Sequence, residues 1–287
     1  MKAIYKKEVK SYLTSMIGYV FIFFILLLEG IYFTAYNLQN AYPLFGTTLN
    51  AVTFIFLILV PVLTMKTIAE ERKQKTDQLL LTAPVSVSEI VLGKFLAVAT
   101  VYAIPVLIIC LYPMIMGKYG TVSYAMAYTA VLGFALLGFA QIAVGVFWSS
   151  VTENPVIAAV VTFIVLFVCY MITGIGSLIP DSSMASLACY MLLVLLAAVW
   201  IYHMIRNLWI AAVIGIAGEA ALAITYVVKS TLFEGSIQKF LSVFDITSHF
   251  DNFTNGILDL QGVVYFLSVI IIFLVLTVQT ITKRRWN

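Results

Sequence analysis

Charge is scarce in this chain. Only 10% of its 287 residues are Asp, Glu, Lys or Arg, against about 25% in a water-soluble domain. With 63% hydrophobic residues and a mean hydropathy of +1.07, the chain cannot cover its own apolar surface, which excludes a soluble globular fold and leaves lipid as the solvent. Cysteine is equally sparse: Cys110, Cys169 and Cys189 lie in apolar runs without C-x-x-C spacing, so neither a disulfide framework nor a metal site is expected. There is no H-E-x-x-H, no G-x-S-x-G and no paired His/carboxylate set, so no catalytic or metal-binding residue is assigned. His249 stands alone and receives no role. A phosphate loop is also missing, because Met116-Gly117-Lys118 lacks both the upstream glycine and the Ser/Thr that the motif needs. A net charge of +3 is too small to point to nucleic acid.

Long apolar runs fill the chain instead. Eight have the length to cross a hydrocarbon core of roughly 30 Å: 17–39, 50–69, 88–116, 122–149, 155–178, 184–203, 207–228 and 260–282. The sixth and seventh are separated only by His203-Met204-Ile205-Arg206-Asn207, so six to eight spans are open and eight is favoured. The basic start, Lys2, Lys6, Lys7 and Lys10, superficially resembles a signal peptide, but the apolar run after it is span-length and lacks a small-residue cleavage site, so it is kept as mature structure. Placing the N-terminus inside puts all cations except Lys118, Lys229 and Lys239 in inner segments, so both termini are expected to be cytoplasmic. The expected fold is all-α: one polytopic transmembrane domain over 1–287.

Three segments outside the spans carry a pattern. Tyr5, Val9, Tyr12, Leu13 and Met16 form a helical apolar stripe that the lysines avoid, predicting an amphipathic interfacial helix over 1–16. Residues 231–259 are aromatic-rich and interrupted by Gly235 and Gly256, predicting short helices in the outer interface. The third segment, 70–85, is a dense charge cluster in a chain that otherwise avoids charge. It runs Glu70-Glu71-Arg72-Lys73-Gln74-Lys75-Thr76-Asp77, then Leu79-Leu80-Leu81, then a break at Thr82-Ala83-Pro84. Ser86 and Glu89 fit a capping box that restarts the helix. A charged helix with a leucine patch, broken by proline from the next span, makes a cytoplasmic knob, and topological charge bias alone requires neither the patch nor the restart.

That segment resembles the first cytoplasmic loop of type-2 ABC exporter permeases, commonly E-R-x-x-G-T-x-E-L-L-L-T-x-P-V-S followed by I-V-x-G-K. Here it runs Glu71-Arg72 through Leu79-Leu80-Leu81-Thr82-Ala83-Pro84-Val85-Ser86, then Ile90-Val91-Leu92-Gly93-Lys94. Lys75 stands where glycine is usual and Gln78 where an acid is usual. The stretch from Phe244-Asp245 to Phe253, then Gly256-Ile257-Leu258-Asp259 and the closing Lys283-Arg284-Arg285, is similar to the gliding-motility-type permeases of that family. The region of about 182–228 looks like a hydrophobic pair added to the usual six spans.

The resemblance implies a half-transporter in a bacterial cytoplasmic (inner) membrane. A second permease copy or homologous permease would complete the path, and cytosolic ABC ATPase subunits would supply the ATP and Mg site. It implies ATPase coupling through Glu70, Glu71, Arg72, Lys73, Lys75, Thr76, Leu79, Leu80, Leu81 and Pro84, with a second inner-loop contact at Thr152, Glu153 and Asn154. Candidates for the translocation path are Glu29, Thr162, Thr173 and Glu219. Both acids lie inside spans, where an ionised carboxylate costs on the order of 2.5–3.5 kcal/mol. An alternative is an ion-gradient-driven secondary transporter or channel using Glu29 and Glu219, although the halves show no convincing repeat. A force-transmitting membrane anchor is a third reading, weakened by the small outer segments.

Overall fold

The computed structural model describes residues 1–78 and 85–286, and every regular element among them is helical. The chain divides into two compact units. The first comprises Met1–Phe167 with Ile246–Asn287, and the second Val168–Asp245.

In the first unit, α1 (Lys2–Thr14) precedes α2 (Met16–Tyr32), whose last turns widen into a π-helix over Phe33–Gln39. Then come α3 (Phe45–Thr64), the short α4 (Ala69–Lys73), α5 (Val87–Ile109), α6 (Tyr112–Met116), α7 (Tyr124–Val151) and the start of α8 (Pro155–Ser177). The second unit takes the rest of α8, the hairpin α9 (Ser183–Ile205) and α10 (Leu208–Val228), a 3₁₀ turn at Ser230–Phe233 and α11 (Ser236–Ser242). The chain returns to the first unit through a 3₁₀ turn (Ser248–Phe250), α12 (Asp251–Thr254) and the long α13 (Leu260–Trp286).

Among the described residues seven helical stretches are long and apolar enough to span, and an eighth arises if Ala212–Val228 and Ser230–Ser242, bent by 116°, are taken as one. Within the second unit, Gly235 N–H donates to Asp181 O at 3.2 Å and Gln238 Nε2 to Ile179 O at 2.9 Å. The hairpin therefore leaves from and returns to the C-terminal end of α8. It adds two crossings or none, so six or eight spans fit the chain path and seven do not.

Two expected boundaries shift. The N-terminal helix, expected over 1–16, stops at Thr14, Ser15 turns the corner in an extended conformation, and Met16, 82% exposed, opens α2. Tyr12 and the acid Glu8 are the buried residues of α1, so the stripe facing the protein is not purely apolar. The second span begins at Phe45 rather than residue 50. Its polar first turn, which lowers the local hydropathy, is satisfied internally: Thr47 Oγ1 donates to Leu44 O at 2.8 Å, and Thr48 Oγ1 to Asn37 Oδ1 at 2.5 Å.

The core of the first unit is aromatic. Tyr102 is fully buried beside Phe56 and Phe134 and donates its hydroxyl to Phe134 O at 2.7 Å. Small residues on α7 permit this approach, because a Cβ on Gly138 would lie 2.2 Å from the Tyr102 ring and one on Gly145 2.2 Å from Thr64 Oγ1. The glycines of α8 permit no such approach, since Gly174 has open space beside it and Gly176 only ordinary contact with Leu241. The predicted short helices of 231–259 are present, and Gly235 and Gly256 both adopt left-handed backbone, at φ 63° and 77°. Asp259 then starts α13, accepting from Gln261 N–H and Asn252 Nδ2, each at 2.9 Å.

Candidate functional site

The first loop, the N-terminal helix, the second loop and the end of α13 meet at one end of the first unit. Lys94 lies at the centre. Its side chain is 2% exposed, and its ammonium meets three acceptors: Glu8 Oε1 of α1 at 2.9 Å, Glu71 Oε2 of α4 at 2.9 Å and Thr67 O at 2.8 Å. An ammonium has three donors, and all three are used. Lys7 reaches the other Glu71 oxygen at 3.2 Å. Gly93, just before Lys94, lets α1 close in, because a Cβ there would sit 3.3 Å from Ile4 Cγ2. Tyr12 anchors the far end of α1 through Leu63 O at 3.1 Å and Thr67 Oγ1 at 3.0 Å. Burial and the nearby carboxylates hold its phenol well above the ordinary range, so it stays protonated.

The start of α4 has no side-chain cap of its own, since Ile68 occupies that position. Ser149 of α7 supplies one from a distance: its Oγ accepts from the Ile68 and Ala69 N–H groups, both at 3.1 Å, and donates to Met65 O at 3.0 Å. The end of α4 closes as a Schellman turn, with Thr76 N–H bonded to Glu71 O and Lys75 N–H to Arg72 O. The residue in left-handed conformation is Lys75, at φ 56°. Glycine suits that position because a Cβ there costs roughly 1–2 kcal/mol, which gives the usual glycine a physical reason. Lys75→Gly is therefore expected to stabilise the turn by about 0.5–1 kcal/mol, read as slower hydrogen exchange at the Lys75 and Thr76 amides. Equal or faster exchange would contradict this.

These contacts sort the residues singled out in the sequence. Glu71 and Arg72 turn inward: Arg72 donates to the Ser150 carbonyl and lies 3.6 Å from Glu153. Glu70 pairs with Lys66 at 3.5 Å. Lys73, Gln74, Lys75 and Thr76 are exposed and form the outward surface. Leu79, Leu80, Leu81 and Pro84 lie outside the described residues. In the second loop Glu153 is exposed and held at 2.7 Å by Arg284, which also reaches Asp77 at 3.4 Å. Asn154 caps α8 through Val156 N–H at 3.0 Å, and Thr152 Oγ1 bonds Asn154 O at 3.3 Å. A cavity of about 630 Å³ opens between α1 and α4, lined by Lys7, Glu8, Lys66, Glu70, Glu71 and Lys94 among others.

The four path candidates fall in both units, Glu29 and Thr162 in the first and Thr173 and Glu219 in the second. No hydrogen bond joins any two of them among the described residues. Glu29 is fully buried in the first unit and neither oxygen has a hydrogen-bond partner among the described residues. Thr162 bonds its own helix at Ala158 O at 2.7 Å. In the second unit Thr173 donates to Asp245, while Glu219 lines a mostly apolar groove of about 610 Å³ between α9 and α10 without a hydrogen-bond partner among the described residues.

Sequence reasoning missed Lys94, Glu8, Ser149 and Arg284 as structural contacts. Lys94 entered as an orienting cation and as the end of the I-V-x-G-K match, and Arg284 as an orienting cation and part of the closing basic run, neither of them as a contact. A lysine placed inside an otherwise apolar span start, at the end of the matched I-V-x-G-K run, is a signal for Lys94.

No curated protein matches the chain. The family model described as ABC-2 family transporter protein matches residues 2–284, a range that also takes in the α9–α10 hairpin. A chain of multiple apolar helices, with a braced charged knob between the second and third, accords with that match along nearly its full length. The chain belongs to the ABC-2 family of membrane transporter proteins, the type-2 ABC permeases.

Proposed function

We propose that this multi-pass membrane protein is the permease subunit of an ATP-driven exporter. A separate cytosolic ATPase docks on the outward surface of α4 and the turn after it, Lys73 to Thr76. The observation that carries the reading is the bracing of α4. Lys94 ties it to α5 and α1, Ser149 ties it to α7, and Arg72 with Asp77 connects it to the second loop and α13. A segment that only fixed topology would not need buried side chains from three other helices, Glu8 of α1, Lys94 of α5 and Ser149 of α7. A braced one passes displacement of its exposed face into the spans as a unit.

The same end gathers both described chain ends with Lys7, Lys66, Lys73, Lys75 and Arg72. By the bias of cations toward inner segments, it is the cytoplasmic end. ATP and Mg belong to the partner. Two copies of the chain, or this chain with a homologous permease, complete the path in a bacterial cytoplasmic membrane.

The test is purification of the tagged chain from its native membrane in mild detergent, with the ATP hydrolysis that accompanies it measured. Lys73→Glu with Lys75→Glu is expected to lower that hydrolysis about tenfold, or about 1.4 kcal/mol of docking energy, at unchanged thermal stability. If hydrolysis is unchanged, or no hydrolase accompanies the wild type, the reading is wrong.

The unpartnered carboxyl of Glu29 favours one competing account, a carrier driven by an ion gradient. Transport that persists without any ATPase and is abolished by Glu29→Gln would select it.

A further inference from the structure

Arg284 lies in the last turns of α13, far in sequence from either loop. Its Nη1 is 3.4 Å from Asp77 Oδ2 in the first loop, and its Nη2 is 2.7 Å from Glu153 Oε1 in the second. The same Glu153 oxygen lies 3.6 Å from Arg72 Nη2, and Arg72 also donates to the Ser150 carbonyl at the end of α7. One guanidinium thus bridges two loops whose chain positions differ from its own by 207 and 131 residues.

Stability is a poor explanation for this arrangement. The Arg284 and Glu153 side chains are 39% and 63% exposed, and exposed pairs of this kind shift an equilibrium by no more than about fivefold. What the bridge supplies is geometry. A planar guanidinium holds two acceptors in fixed directions, whereas a lysine ammonium is a point charge on a flexible stem. The helix that carries it is itself packed on α7, with the Phe147 and Phe273 rings 5.6 Å apart, and α7 carries Ser149 and Ser150.

We propose that Arg284 is a positioning residue. It registers the first loop against the second, so that the ATPase meets one composite surface instead of two loops that move independently, and it places α13 in direct contact with that surface. The proposal rests on the docking reading above and adds a specific device to it.

The experiment titrates the full-length permease with the ATPase that co-purifies with the wild-type chain. Arg284→Ala is expected to raise the ATPase concentration for half-maximal hydrolysis about threefold, with maximal rate and melting temperature unchanged. Arg284→Lys should rescue less than half of that shift, and Arg284→Ala with Glu153→Ala should be no worse than the poorer single variant, because both remove the same bridge. An unchanged half-saturation point, additive effects in the double variant, or a shift fully explained by a lower melting temperature would each overturn the proposal.

A second arm needs no ATPase. Spin labels at Thr76→Cys and Thr152→Cys, with the three native cysteines replaced by serine, report the distance between the loops in the permease alone. A broader distribution in Arg284→Ala supports registration, and an unchanged one overturns it. If no ATPase accompanies the wild type, the docking reading fails, and this arm still decides whether Arg284 registers the loops.

Discussion

Lys94→Met should cost the permease about 3–5 kcal/mol, the scale on which one partner is removed from a buried charge cluster. The ammonium is 2% exposed and satisfies two carboxylates and a backbone carbonyl at 2.8–2.9 Å. Methionine fills a similar volume but leaves Glu8 and Glu71 without their shared cation at the wall of the cavity between α1 and α4, and leaves Thr67 O without its donor. The damage lies in the stranded acids more than in the lost attraction. Lys94→Met combined with Glu8→Gln and Glu71→Gln is therefore expected to recover more than half of the loss, since neutral amides can bond to each other and to the Thr67 carbonyl. Lys94→Arg should restore charge but not fit, because a planar fork cannot point at three acceptors arranged around an ammonium. Thermal unfolding in detergent measures all three. A single variant as stable as the wild type, or a triple variant no better than the single, would show that the cluster does not hold α1 and α4 to α5. Coupling should fail with the fold here, which separates Lys94 from the outward lysines, whose replacement is expected to spare stability.

Much of this architecture is readable in the sequence because it is written locally. Apolar runs of spanning length located α2, α5, α7, α8 and the α9–α10 hairpin within a few residues. Ser86 marked the start of α5, and its Oγ accepts from Glu89 N–H at 3.3 Å. The charge cluster located α4, and Gly235 and Gly256 marked the breaks where the backbone turns left-handed. Contacts between distant segments leave no such trace. In a chain this poor in charge, every lysine reads as a topology signal, and nothing near Lys94 announces that its partner Glu8 lies 86 residues away. The π-helix at the end of α2 is invisible for another reason: where nearly all residues are apolar, a change of helical period leaves the hydropathy pattern unaltered. Lys75 falls between these cases. Its departure from the family pattern is plain in the sequence, but its meaning needs the left-handed turn that it occupies.

Ser149→Ala should be the next most damaging small change, at about 3 kcal/mol. The estimate follows from the three groups it strands, each worth about 1–3 kcal/mol when left buried and unpaired and partly relieved by relaxation. A serine hydroxyl offers one donor and two acceptor positions. Here all are taken, by Met65 O and by the Ile68 and Ala69 N–H groups, with Ser149 itself fully buried. The two amides are orphan donors of the first turn of α4, which a helix ordinarily caps from its own preceding residue. Ile68 cannot do so. Capping from α7 makes the five-residue α4 dependent on a helix that precedes it nowhere in the chain, and a helix that short has almost no stability of its own. Loss of the cap should therefore fray α4 before it unfolds the bundle. Hydrogen exchange is expected to quicken first at residues 68–76, with the amides of α5 and α7 still protected, and accompanying ATP hydrolysis should fall in step with that local loss. Uniform loss of protection across the bundle would mean that Ser149 only packs the core, and unchanged protection at 68–76 would mean that α4 is held by Lys94 and Arg72 alone.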